Sequence, residues 1–212
     1  MSVPKEYNVI GGLIGLGPDI MLEILTEMLN KLDLQQLIGT LLSPLNSPCL
    51  QDLMIDFNVF YHRKENTNDC SIIFNPLICR GIVRLDILNI RDLIGVGIID
   101  ESICYGRNQS PSQSDWDKAL GKILHNKDIC RYQIESFSSN DRIGMELNMN
   151  YCPRTLTFFK NDIEQKIFIT NLPASLRFWA LLWKQGSTFK FPNFAYLLKP
   201  TAKHEESQIC EW

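Results

Sequence analysis

The residues best suited to reaction chemistry are scattered through this chain. Three histidines (His62, His125, His204) and seven cysteines (Cys49, Cys70, Cys79, Cys104, Cys130, Cys152, Cys210) supply its nucleophile, base and metal-ligand candidates. A zinc site would bring ligands in pairs at short spacing, as in Cys-x-x-Cys or His-Glu-x-x-His, and no such pair occurs. The glycine-rich stretch Gly11-Gly12-Leu13-Ile14-Gly15-Leu16-Gly17 lacks the Gly-Lys-Ser/Thr that would cradle a phosphate, and no β–α–β texture follows it. Asp115 and Asp117 lie in a polar loop and read as solvent-facing. A cysteine–histidine dyad built from remote residues is the one enzymatic alternative, with nothing in the sequence to favour it. No catalytic residue, metal ligand or cofactor is therefore assigned, and the chain does not read as an enzyme.

The elements that would position functional side chains are mainly strands. Arg142–Met149, Thr155–Lys160, Gln165–Thr170, Phe178–Trp183 and Thr188–Phe191 alternate apolar and polar residues, broken by Asn-Asp, Asn-Leu-Pro and Gln-Gly-Ser turns. Further strand texture covers Cys70–Phe74, Gly81–Leu88, Leu93–Ile99 and Ile129–Glu135. Leu50–Tyr61 reads as a helix entering a strand, His62–Asp69 as a solvated turn, and Gly106–Asp115 as a long polar loop. No crossover helices separate these strands, so an antiparallel β-sandwich is expected rather than a parallel sheet. Ile143, Leu147, Leu156 and Phe168 are expected in its core. Phe158 and Phe159 must face opposite ways.

The N-terminus has a different texture. Pro18 and Asp19 suit a helix start, and Ile20, Leu22, Ile24, Leu25, Met28 and Leu29 recur at helical spacing. A second short helix starts at Asp33 and carries Leu34, Leu37, Ile38 and Leu41. Ser43–Pro48 ends it. The expected organisation is a helical segment at 1–47, a connecting segment at 48–67, a β-sandwich at 68–200 and a polar tail at 201–212.

Composition narrows the function. A formal charge of −3 argues against a dedicated nucleic-acid surface. No apolar run approaches the roughly 18 residues of a membrane span, and the N-terminus does not read as a signal peptide. An odd number of singly spaced cysteines favours free, mostly buried thiols and a reducing compartment, hence cytoplasm or nucleus.

The C-terminal two-thirds, about residues 68–198, resembles the SPRY domain family. Asn140-Asp141-Arg142-Ile143-Gly144 with Glu146-Leu147-Asn148 is similar to that family's "GDxIG...LD" strand, and Thr155–Asp162 to its "TLSFFKNG" hairpin. Phe168, Leu172 and Pro173 follow like its "F..LP" segment. Leu93–Gly97 resembles the "IGV" strand, and Ser114-Asp115-Trp116 the "SW" pair, whose tryptophan plugs the core. Asp162 stands where the hairpin usually carries glycine, a left-handed turn position aspartate tolerates less well. The resemblance implies a bent antiparallel β-sandwich whose loops bind proteins or peptides. Residues 16–45 resemble, more faintly, an F-box, through Leu16-Gly17-Pro18-Asp19-Ile20-Met21-Leu22-Glu23-Ile24-Leu25 and Leu29–Leu34. That implies docking to a Skp-type adaptor and cullin, and a ubiquitin-ligase substrate receptor.

The resemblance also points to ligand contacts. Trp183, at a strand end, matches a ligand-contacting tryptophan of the SPRY–SOCS-box subfamily, with Lys184 beside it for an acidic ligand. Tyr105 and Arg107 flank the start of the long loop, where the subfamily carries a contacting tyrosine. Tyr151 and Arg154 bracket the Met149–Thr155 turn. The competing reading is a scaffolding protein that assembles through its apolar N-terminal helices.

Overall fold

A computed structural model of the chain describes residues 42–111 and 136–212, with the backbone of Ile123–Leu124. All fall within the second of two units into which the chain divides, residues 38–212. The helical expectations over 18–41, the core role of Trp116 and the strand at 129–135 lie outside the described residues.

Two sheets face each other. The smaller holds β1 (Ser43–Pro44), β4 (Cys70–Asn75), β11 (Leu176–Leu182), β6 (Gly95–Asp100) and β7 (Ile123–Leu124), in the order β1-β4-β11-β6-β7. The larger holds β2 (Leu53–Asp56), β3 (Val59–His62), β5 (Ile82–Arg91), β8 (Arg142–Asn148), β9 (Thr155–Lys160), β10 (Ile163–Thr170), β12 (Thr188–Leu197) and β13 (Gln208–Glu211), in the order β13-β10-β9-β8-β5-β12-β3-β2. Strand alternation builds the core between them: Val83, Leu85 and Ile87 of β5 and Ile143, Met145 and Leu147 of β8 point inward with Phe178, Ala180 and Leu182 of β11. Four phenylalanines join the layers. Phe74 of β4 meets Phe60 of β3 edge-on at 5.6 Å and Phe191 of β12 at 4.8 Å, while Phe60 stacks on Phe189 at 4.9 Å.

Each sheet also has a covered outer face. Trp179, Leu181, Ile73 and Ile99 form a second apolar cluster outside the smaller sheet, roofed by Tyr105. Trp179 is fully buried there and its indole N–H donates to Ile98 O at 3.0 Å. Outside the larger sheet, Phe159 lies under the Arg84 guanidinium at 4.4 Å, while Phe158 fills the core. Phe168 is on this outer face too, stacked on His204 at 3.8 Å, rather than in the core between the sheets. The reason is phase: Ile167 and Ile169 take the inward positions.

Other boundaries differ from expectation. Residues 48–67 are no mere connector: a 3-10 helix (Pro48–Asp52) leads into β2 and β3, which extend the larger sheet. The 201–212 segment carries a strand, because Glu146 and Glu164 strap it down. Glu146 accepts from the Thr201 and Ala202 amides, and Glu164 from those of Lys203 and His204. β13 then pairs with β10 in parallel, the one departure from antiparallel order between described strands. β12 runs through Pro192 to Leu197, since the missing N–H falls at a register shift between Lys190 and Asn193. Asp162 does adopt the left-handed turn conformation, φ 67°, and its carboxylate pairs with Arg84 and Arg142. Of six described cysteines, Cys49, Cys70 and Cys210 are buried while Cys79, Cys104 and Cys152 are exposed, so burial is less general than the sequence suggests.

Candidate loop-end binding site

β11 ends at Leu182, opposite Cys70, and the chain turns sharply through Trp183–Ser187 to start β12. Gly186 makes the turn possible with φ 71°, a conformation costly for other residues. Backbone bonds then fix it: Ser187 N donates to Lys184 O at 3.0 Å, Gly186 N to His62 O at 3.1 Å, and His62 N to Ser187 O at 2.9 Å. Trp183 rides on this stiff turn with 47% of its surface exposed. Lys184 Nζ lies 3.2 Å from Asp92 Oδ1 in an exposed pair.

His62 links the turn to the 63–69 loop. Its ring nitrogens each lie 2.9 Å from a carbonyl oxygen, those of Arg63 and Asn68. The loop in turn closes on Asp52, the last residue of the 3-10 helix, which is only 1% exposed. Asn66 and Asn68 donate to its carboxylate at 2.8 and 3.2 Å. Arg107 completes the arrangement with a two-pronged pair, Nε to Oδ2 at 2.9 Å and Nη2 to Oδ1 at 2.7 Å. The Arg107 hydrogen bond is the main reason the Asp52 carboxyl sits below the usual carboxylate range, against the opposing pull of burial. The same bond raises Arg107. A buried carboxylate saturated with donors organises three segments at once.

A polar hollow of about 570 Å³ adjoins this frame, lined by Asp69, Ser102–Tyr105 and Asn108–Ser110. Its walls are pinned rather than loose. Asp69 N donates to Asn108 Oδ1 at 3.0 Å, Ser110 Oγ to Asp69 Oδ2 at 2.5 Å, and Ser71 Oγ to Gln109 O at 2.9 Å.

The six residues singled out in the sequence do not converge. Trp183, Lys184 and Arg107 share one end, joined through His62, Asn68 and Asp52. Tyr105 lines the hollow, but its ring is mostly buried in the outer cluster of the smaller sheet. Tyr151 (63% exposed) and Arg154, whose Nη1 donates to Leu172 O at 3.4 Å, stand at the far end. Register places them there: Ile82 at the start of β5 pairs with Asn148, while Arg91 at its other end pairs with Thr188. Ten residues of strand separate the two ends by about 30 Å. Sequence reasoning missed Asp52, His62 and Asn68. The one available signal was Asp52 itself, an acid directly before the apolar run Leu53-Met54-Ile55 and upstream of the polar run His62–Asp69.

No protein-family model matches the chain, and neither does any curated protein. Among solved structures it is similar to the TRIM65 PSpry domain, with 11% identity over 72% of this chain and 92% of that one, at a TM-score of 0.51. It also matches the SPRY domain of human HERC1, with 14% identity over 70% and 94% of the respective chains and a TM-score of 0.49. The fold is thus SPRY-like.

Proposed function

We propose that this chain is a protein- or peptide-recognition module that grips its ligand with the loops at the Trp183 end of the sandwich. One observation carries the reading: a half-exposed tryptophan on a turn locked by backbone hydrogen bonds, four residues after a tryptophan that is wholly buried. Tryptophan is the residue type most enriched among interface hot spots, and a pre-ordered turn reduces the entropy lost on binding. Lys184 supplies a cation that a ligand carboxylate can compete for, because its pair with Asp92 is exposed and weak. Variable loops on a rigid sandwich suit recognition, and no catalytic step is assigned to them. Tyr151 and Arg154, at the other end, would serve a separate contact.

The finer reading makes the chain a ubiquitin-ligase substrate receptor in the cytoplasm or nucleus, with residues 16–45 docking a Skp-type adaptor and cullin. That step rests on sequence pattern alone. Affinity capture from cell lysate tests both levels, comparing the full chain, a variant lacking residues 1–37 and Trp183→Ala with an unchanged melting curve. Loss of one protein with Trp183→Ala supports the recognition site, and loss of adaptor and cullin with the deletion supports the ligase role. A capture profile indifferent to Trp183→Ala, with every partner lost on deletion, would favour the scaffolding reading instead.

A further inference from the structure

We propose that Cys49 and Cys70 form a dithiol that a peroxide converts to a disulfide, clasping the 3-10 helix covalently to β4. Both side chains are fully buried, and they come from segments 21 residues apart. Their bonding is crossed: Cys49 Sγ donates to Ser71 O at 3.3 Å, and Cys70 Sγ donates to Cys49 O at 3.2 Å. Each sulfur thus lies against backbone of the other cysteine or its neighbour, which brings the two buried side chains together.

The surroundings distinguish the two sulfurs. The neighbouring Cys70 thiol, helped by Ser47, outweighs burial and brings the Cys49 thiol down to about 7. The same contact and burial push Cys70 upward. Cys49 lies on the short helix, so a local opening uncovers it first as the attacking thiolate, while Cys70, held in the paired strand β4, is the resolving thiol. In the first step the Cys49 sulfur bonds to one peroxide oxygen as the O–O bond breaks. The departing hydroxide takes a proton and leaves as water, and Cys49 is left as a sulfenic acid. In the second step the Cys70 sulfur attacks the Cys49 sulfur, the S–O bond breaks, and hydroxide leaves with the Cys70 proton as a second water. Two thiols lose two electrons and two protons; one hydrogen peroxide becomes two waters. The oxidant needs only a local opening of a five-residue helix to reach the pair. The disulfide would hold the helix whose last residue, Asp52, carries Arg107 and the 63–69 loop.

The test treats the folded full chain with hydrogen peroxide, blocks residual thiols with iodoacetamide, and maps disulfides by mass spectrometry without reduction. The expected product is a Cys49–Cys70 cross-linked peptide, about 2 Da lighter than the sum of its reduced parts, with a raised melting temperature that dithiothreitol reverses. Dimedone, which traps sulfenic acids, should label Cys49 in Cys70→Ser and leave Cys70 unlabelled in Cys49→Ser. The proposal is overturned if Cys49 and Cys70 stay reduced while exposed Cys79, Cys104 and Cys152 oxidise, or if dimedone labels both positions equally. Should either serine variant fail to fold, the cross-link map of the unaltered chain decides the matter alone.

Discussion

Replacing Asp52 with alanine probes the frame of the loop end directly. The carboxylate accepts from Arg107 Nε and Nη2, Asn66 Nδ2 and Asn68 Nδ2, and is almost wholly buried. Hydrogen bonds to a charged group contribute about 1.5–3 kcal/mol each when counted singly. The four are not additive, since Arg107 is half-exposed and water replaces part of what it loses. A net destabilisation of about 2–4 kcal/mol follows, the range for losing one partner of a substantially buried ionic network with partial solvent relief. For a domain of this size, that lowers the melting temperature by about 4–16 °C. Urea unfolding at neutral pH should show a reduced midpoint at unchanged m. The pH dependence has a definite sign. A carboxyl held below its ordinary value contributes stability that is complete above roughly pH 4 and drains away as pH falls through the lowered value. The gap between the unaltered chain and Asp52→Ala should therefore close on acidification. A gap under about 0.5 kcal/mol at pH 7, the scale of ordinary surface substitutions, would refute the claim that Asp52 organises these loops. So would a gap that widens at low pH.

Other outcomes follow from the same geometry. Gly144→Ala should destabilise the fold by about 1–3 kcal/mol in chemical unfolding, because an added Cβ would sit 2.8 Å from Asp86 Oδ1 and 3.2 Å from the Phe159 Cβ. Phe158→Ala removes a fully buried ring from the core and should cost about 3–5 kcal/mol by the same measurement. Trp183→Ala should move the melting temperature little while abolishing partner capture. Removing residues 208–212 strips β13 from β10 and bares an edge; light scattering should show concentration-dependent association absent from the full chain.

The alternation of Arg142–Asn148 and Thr155–Lys160 announced strands because side chains two apart share a face, a local property that survives whatever packs above it. The Asn161-Asp162 turn was legible for the same reason: its backbone conformation depends on those two residues. Leu53–Asp56 and Val59–His62 were misjudged because short apolar runs carry no distinct period; pairing of Val59–His62 with β12, and of Leu53–Asp56 with Val59–His62, is what made them strands. The 201–212 segment looked like a tail because its composition is polar. Its order comes from Glu146 and Glu164, more than 35 residues upstream.

The candidate site divides along the same line. Trp183 could be singled out because it stands at a strand end where the resembled subfamily carries a ligand-contacting tryptophan, and Arg107 because it flanks the start of the long polar loop where that subfamily carries a contacting tyrosine. That Arg107 is spent on Asp52, that His62 joins two loops, and that Tyr105 roofs the smaller sheet depended on residues far away in sequence. Secondary structure follows from neighbours along the chain, and the sequence by itself determined most of it here, together with the two-layer class. Which polar groups are buried, which charges find partners, and which end of the sandwich each loop occupies depend on strand order and register. Those are set by long-range burial and pairing, and only the tertiary structure decided them.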